Sequence, residues 1–248
     1  MLNPTILVLF GATGDLVAKK ILPALLNLWK EQNLPTDFSI VAFGRRDMTD
    51  QTFRDYVREI LVKRTDLNVD AETLGAFLET IAYHKGQFDV EADYAALNKK
   101  LAGMASSPTS YVYYLAVPPE LTKTISSGLH SAGLTAEGEN GARRIIVEKP
   151  IGVSSNSAEE IESVLGSTFS ESQVYRIDHY LAKEMVQNII AFRFSNSLFE
   201  GMWSGESIER IDIRLWETLG VESRGAFYEG TGALRDMVQN HALQLLCA

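Results

Sequence analysis

Cysteine is all but missing from this 248-residue chain. The one thiol, Cys247, has no partner for an internal disulfide and cannot by itself hold a metal cluster, so no metal site is expected. Positive charge is short as well. With 23 Lys and Arg against 32 Asp and Glu, the formal charge of −9 argues against a general polyanion-binding surface, and no nucleic-acid partner is expected. Any phosphate site has to be local, built from a helix N-terminus and a few cationic side chains. No stretch of eighteen apolar residues occurs, so no membrane span is expected. Met1-Leu2-Asn3-Pro4 runs straight into a strand pattern, without the charged and apolar regions of a secretory leader, which makes the cytoplasm the expected location. Internal repeats and low-complexity tracts are also lacking.

What remains is ordinary soluble composition and a length sufficient for one large α/β domain plus part of a second. Thr5–Phe10 (TILVLF) is an apolar run of strand length, suited to burial on both faces. Gly11 stops it, and an amphipathic pattern follows from about Asp15 to Glu31. The same alternation then repeats. Strands are expected at Ser39–Phe43, Ile81–His84, Ser110–Val117, Arg143–Val147 and Val174–Ile177. Helices are expected at Thr49–Lys63, Ala71–Glu79, Val90–Gly103, from Pro119 toward His130, and from near Ala158 behind a serine cap. Strands alternating with helices imply βαβ units, right-handed crossovers and a mainly parallel sheet, with ligands beyond the carboxyl ends of the strands.

The pattern changes after about residue 170. Tyr180–Ile190 reads as helix, Ser207–Trp216 alternates as a strand with one covered face, and Gly232–Ala248 reads as helix with Leu234, Val238, His241 and Leu245 on one stripe. A lone alternating strand cannot bury its own face, so this second region is expected to be incomplete. The fold class is thus α/β: a Rossmann-like, mainly parallel sheet domain over 1–176, then over 177–248 the incomplete start of an α+β domain with an antiparallel sheet.

The first strand-to-helix turn reads Gly11-Ala12-Thr13-Gly14-Asp15-Leu16. Its glycines allow positive φ and close backbone approach, and the free N–H groups of the following helix suit a phosphate. The spacing departs from G-x-G-x-x-G, since position 12 is alanine and Val17 stands where the last glycine would be. Alone it could be a tight turn without a ligand; strand, turn and helix in this order favour the phosphate. After the second strand comes Arg45-Arg46-Asp47, where NAD sites commonly place a carboxylate and an arginine accommodates a 2′-phosphate. A solvated surface pair is the alternative; NADP is the preferred cofactor.

Histidine is scarce too: His84, His130, His179 and His241. The first two have no acid or motif around them and read as structural or surface residues. His179 and Lys183 are four apart and could face one anion if a helix has begun by His179. His241 shares an apolar stripe, so by pattern alone it could equally be a core histidine.

With these pieces assembled, the chain resembles the glucose-6-phosphate dehydrogenase family. The matching segments are GATGDL (11–16), Lys20, YLAVPP (114–119), EKP (148–150), RIDHYLAKE (176–184), ETLGVESRG (217–225) and GALRDMVQNH (232–241), in family order over almost the whole chain. The resemblance implies oxidation of C1 of glucose 6-phosphate, with hydride passed to NADP and 6-phosphogluconolactone released, the first step of the oxidative pentose phosphate pathway. It makes His241 the general base and Asp178 its orienting carboxylate. Gly11, Thr13, Gly14, Asp15, Leu16, Arg45, Arg46 and Lys149 would bind the cofactor. Lys20, Lys149, His179, Tyr180, Lys183, Glu217 and Asp236 would bind the substrate, and the X–Pro bond before Pro150 permits a cis peptide there.

Three departures stand out: Ala182 replaces the family glycine, Ile151 follows EKP where phenylalanine is frequent, and Ser204 stands where FExxWN has asparagine. Family members are also about twice as long, so a homodimer or homotetramer is expected only for the full length, with its main surface missing here. Two further readings are another NAD(P)-dependent sugar oxidoreductase of the EKP type and a non-catalytic nucleotide-binding fragment.

Overall fold

The computed structural model describes residues 3–106, 108–138, 141–216, 220, 225, 229 and 232–247. It divides into two compact units, Met1–Ile177 and Asp178–Ala248.

In the first unit, six strands form one sheet: β1 (Thr5–Phe10), β2 (Phe38–Gly44), β3 (Ile81–Lys85), β4 (Ser110–Leu115), β5 (Arg143–Glu148) and β6 (Val174–Ile177). Their order is β3-β2-β1-β4-β5-β6, every pair parallel. The two-residue period of a strand explains how both faces are covered. From β1, Ile6, Val8 and Phe10 join one core with Tyr94, Leu97, Ile125, Leu129, Ile161 and Leu165. These come from α4 (Glu91–Met104), α5 (Thr122–Ser131) and α6 (Ser155–Thr168). Leu7 and Leu9 point the other way, into a second core with Leu22, Leu26, Phe53, Val57, Leu74 and Phe77. Those belong to α1 (Leu22–Lys30), α2 (Asp50–Val62) and α3 (Ala71–Glu79).

Caps fix the helix starts. The Thr49 hydroxyl accepts from Thr52 N–H, the Asp70 carboxylate accepts from Thr73 N–H, and Ser154 with Ser157 forms a reciprocal pair. That last pair starts α6 at Ser155, three residues before the expected Ala158. His84 is buried against Phe43 and shares a hydrogen bond with the Asp93 carbonyl, and His130 bonds to Thr135, so both are structural.

The second unit departs from expectation in three places. Its first helix, α7 (Glu184–Phe194), begins four residues later than Tyr180. The reason is Asp178, whose Oδ1 accepts from the Tyr180 and Leu181 amides at 3.0 and 3.5 Å and holds residues 178–183 in turns. His179 and Lys183 therefore do not share a helical face.

The expected strand at Ser207–Trp216 does not form, and no antiparallel ladder occurs among the described residues of this unit. After α8 (Ser197–Glu200) the chain turns through Ser204, whose carbonyl accepts from Ser207 and Ile208. The apolar alternation of 208–216 has no partner there to supply a ladder, and a strand is stable only when paired.

Finally, the closing helix is π-wound over Leu234–Ala242 before Leu243–Cys247. A wider turn breaks the 3.6-residue stripe: Leu234 and Val238 are 72% and 43% exposed, while His241 is buried.

Candidate functional site

Register brings the sequence motifs of the first unit to one edge. Phe43 pairs with Phe10, Phe10 with Leu115, and Leu115 with Val147. The next residues, Gly44, Gly11, Ala116 and Glu148, therefore form a row across the carboxyl ends of β2, β1, β4 and β5. Strand order reverses direction between β1 and β4, the crevice where dinucleotides lie in open parallel sheets.

Gly11 sits in that crevice at φ +77°, and a Cβ there would lie 2.4 Å from the Ala116 carbonyl oxygen and 2.9 Å from Val117. Gly14 N–H donates back to the Gly11 carbonyl at 2.9 Å, closing the turn, and Ala12 is fully buried beneath it. Thr13 and Gly14 are half-buried, Leu16 packs on the core, and Asp15 pairs with Lys19 at 2.9 Å. Beyond the turn the helix is π-wound over Val17–Ile21, carrying the exposed Lys20. At the end of β2, Arg45 and Arg46 are exposed, and neither guanidinium has an ion-pair partner among the described residues. Asp47, the nearby acid, is drawn instead to Lys85 at 2.9 Å, and the Tyr83 hydroxyl pins the Arg46 carbonyl at 2.9 Å. The Lys149–Pro150 peptide at the end of β5 is cis.

This cradle fits a dinucleotide phosphate: Gly11 and Gly14, without a Cβ, admit close backbone approach, and two arginines without an ion-pair partner among the described residues stand one strand away. Gly11→Ala is expected to cost roughly 1–2 kcal/mol for the left-handed backbone alone, before the clash with Ala116 is counted. Thermal unfolding and a cofactor titration would both register it; an unchanged melting temperature and affinity would mean that the turn tolerates a side chain.

In the second unit, two motifs some sixty residues apart meet. The Tyr180 ring stacks on the His241 imidazole at 3.7 Å between centroids and 14° between planes, and the His179 ring stands edge-on to both, at 4.9 and 4.8 Å. Lys183 Nζ lies 3.8 Å from the Tyr180 ring centre. His241 titrates below its ordinary value, first because burial disfavours the imidazolium, then because His179 repels it. Asp236 and Asp178 pull the other way, more weakly. The hydrogen bond expected between Asp178 and His241 is not made at Nδ1, which is buried without a hydrogen-bond partner. Asp236 is half-buried, and Glu217 lies outside the described residues.

One feature of the first unit was not singled out in the sequence: the Tyr114 hydroxyl donates to Glu148 Oε1, across the ends of β4 and β5. Both residues belong to quoted motifs, YLAVPP and EKP, but only the parallel register shows that they face each other.

Two family models match the chain, and they meet within α7 and not at the division between the two compact units. The family model described as glucose-6-phosphate dehydrogenase, NAD binding domain, matches residues 8–188, and that described as the C-terminal domain matches 190–248. The chain is 38% identical to the glucose-6-phosphate 1-dehydrogenase of Chlamydia pneumoniae over 98% of its own length and 49% of that protein. It is 41% identical to that of Aggregatibacter actinomycetemcomitans, over 97% and 49%. A solved glucose-6-phosphate dehydrogenase in complex with its substrate glucose-6-phosphate superposes with a TM-score of 0.87 at 34% identity, over 98% of this chain and 50% of that one. The chain spans about half the length of the curated relatives it matches.

Proposed function

Because the chain belongs to the glucose-6-phosphate dehydrogenase family, we propose that the protein oxidises C1 of glucose 6-phosphate and delivers the hydride to NADP, releasing 6-phosphogluconolactone. The observation that carries this reading is the meeting of Tyr180 and His179 with His241, because it gathers the RIDHY and RDMVQNH segments around one imidazole. His241 takes the C1 hydroxyl proton, since hydride leaves most readily as the alkoxide forms. Its lowered pKa keeps it neutral, and therefore a base, at neutral pH. Asp178 supports the imidazolium that results. His179 and Lys183, with Tyr180 beside them, hold the substrate phosphate, and Glu217 and Asp236 the sugar hydroxyls. Lys20 and Lys149 stand where sugar and nicotinamide meet. Bound NADP supplies the hydride acceptor.

The same reading makes residues 1–176 the cofactor domain and 177–248 the opening of the substrate domain. Gly11, Thr13, Gly14, Asp15 and Leu16 hold the pyrophosphate, and Arg45 and Arg46 the 2′-phosphate. A cytoplasmic, dimeric or tetrameric full-length protein completes it.

The test is a binding comparison coupled to NADPH formation with glucose 6-phosphate. Arg45→Ala is expected to weaken NADP binding by about 10- to 100-fold, the loss of one charge-assisted contact, while NAD affinity changes little. Equal losses for both cofactors would refute the placement of this arginine. A full-length form that binds NADP but yields no NADPH from glucose 6-phosphate would refute the proposed reaction.

A further inference from the structure

Just beyond β2 stand three charged residues in a row: Arg45, Arg46 and Asp47. Two cations there suit a 2′-phosphate; the carboxylate beside them does not. Three successive residues span about 7 Å at most, so a dianion gripped by the arginines lies within a Debye length of that carboxylate, about 10 Å at 0.1 M salt. Left free, Asp47 would repel the phosphate or occupy an arginine in its place. It is engaged elsewhere. Lys85, the last residue of β3, pairs in register with Gly44, and its Nζ meets Asp47 Oδ1 at 2.9 Å. β3 flanks β2 on the side away from β1, so this contact holds the carboxylate on the side opposite the Gly11 turn. The end of β3 is itself anchored. The Tyr83 amide donates to Asp50 Oδ1 at 2.6 Å, and Lys100 Nζ donates to the Tyr83 carbonyl at 2.7 Å. The Tyr83 hydroxyl then reaches across to the Arg46 carbonyl, and a Cβ on Gly44 would crowd that hydroxyl at 2.9 Å.

We propose that Lys85 is a specificity-determining residue: by binding Asp47 it neutralises the acid beside the two arginines and raises the preference for NADP over NAD. Its role is positioning, since it acts through Asp47 and not on the phosphate. The inference rests on the cofactor reading above and deepens it, because it gives β3, a strand that carries none of the cofactor-binding residues, a part in choosing the cofactor. The Asp47 and Lys85 side chains are 90% and 57% exposed, so the effect on selectivity is a few-fold and not orders of magnitude.

The experiment measures NADPH and NADH, which differ only in the 2′-phosphate, by their fluorescence on binding the 248-residue chain. Four proteins are compared: the parent, Lys85→Met, Asp47→Asn and the double variant. Lys85→Met keeps an apolar stem and removes the charge. It is expected to lower the NADPH/NADH affinity ratio about three- to fivefold, through NADPH and not NADH. Asp47→Asn is expected to keep or raise the ratio. The double variant should match Asp47→Asn, because without the carboxylate Lys85 has nothing to neutralise. Both side chains are exposed, so the four melting temperatures should stay together. An unchanged ratio in Lys85→Met would overturn the inference, as would equal losses for both cofactors with a lowered melting temperature, the mark of a merely structural pair. An equal fall in the ratio when Lys85→Met is added to Asp47→Asn would also overturn it, since Lys85 would then act without Asp47. A parent that does not favour NADPH over NADH would refute the 2′-phosphate reading itself, and the inference with it.

Discussion

In a full-length form of the protein, His241→Asn is expected to lower kcat by about 10²- to 10⁴-fold with little change in substrate affinity, the range lost with a general base. Asparagine fills much of the space of imidazole beside Tyr180 but cannot accept a proton from a hydroxyl near neutral pH. The pH profile gives a second, independent readout. A base works in its neutral form, so activity must fall as the pH drops through the His241 pKa, and burial together with His179 has moved that pKa below the ordinary 6.5. The acid limb of kcat/KM should therefore lie below 6.5 and should vanish in His241→Asn. Asp178 raises the His241 pKa, so Asp178→Asn should displace the acid limb to still lower pH. Its loss of turnover should be smaller than that of His241→Asn, because the base remains while its charge support and orientation are weakened. Near-normal kcat at saturating substrate in His241→Asn, or an acid limb that survives the substitution, would remove His241 from the role of base.

The first unit was legible because its signals are local and mutually consistent. Six short apolar runs, each ended by glycine, proline or charge, can satisfy their backbone only as strands, and the intervening helical patterns allow only parallel pairing. The second unit was less legible for reasons visible in particular residues. Asp178 can cap a turn as readily as it can serve a histidine, and the turn it caps displaces the start of α7 to Glu184. Ile208 through Leu215 carry a strand's alternation, but alternation states a preference for a face and does not provide the neighbour that would complete a ladder. The π winding of Leu234–Ala242 leaves no mark in a hydrophobic pattern, yet it decides that His241 is buried while Val238 is not. The Tyr114–Glu148 contact depends on register between strands 34 residues apart, which no single motif encodes.

Purified as the 248-residue chain, the protein is expected to bind NADP weakly and to oxidise glucose 6-phosphate at least about 100-fold more slowly than a full-length relative, the loss that a displacement near 1 Å at a catalytic group can cause. The cofactor edge belongs to a six-stranded sheet with apolar cores on both faces, so the Gly11 turn and the end of β2 that carries Arg45 and Arg46 rest on a packed base. The support of His241 is of another kind. Its imidazole lies flat against Tyr180, its Nδ1 lacks a hydrogen bond, and its helix exposes Leu234 and Val238. In the same unit, Met185, Phe194, Leu198 and Trp216 are each more than half exposed, an apolar load that favours self-association over a fixed geometry. His179 and Lys183, held in turns and not on one helical face, must also rearrange to grip a phosphate together, which costs binding free energy. An activity assay beside hydrogen exchange reads both halves of this expectation. Amides of β1, β4 and β5 should be protected, those of 208–216 should exchange quickly for want of a ladder, and NADPH formation should be slight. Turnover approaching that of a full-length relative, or strong protection of 208–216 in a monomer, would show that the second unit reaches a working geometry by itself.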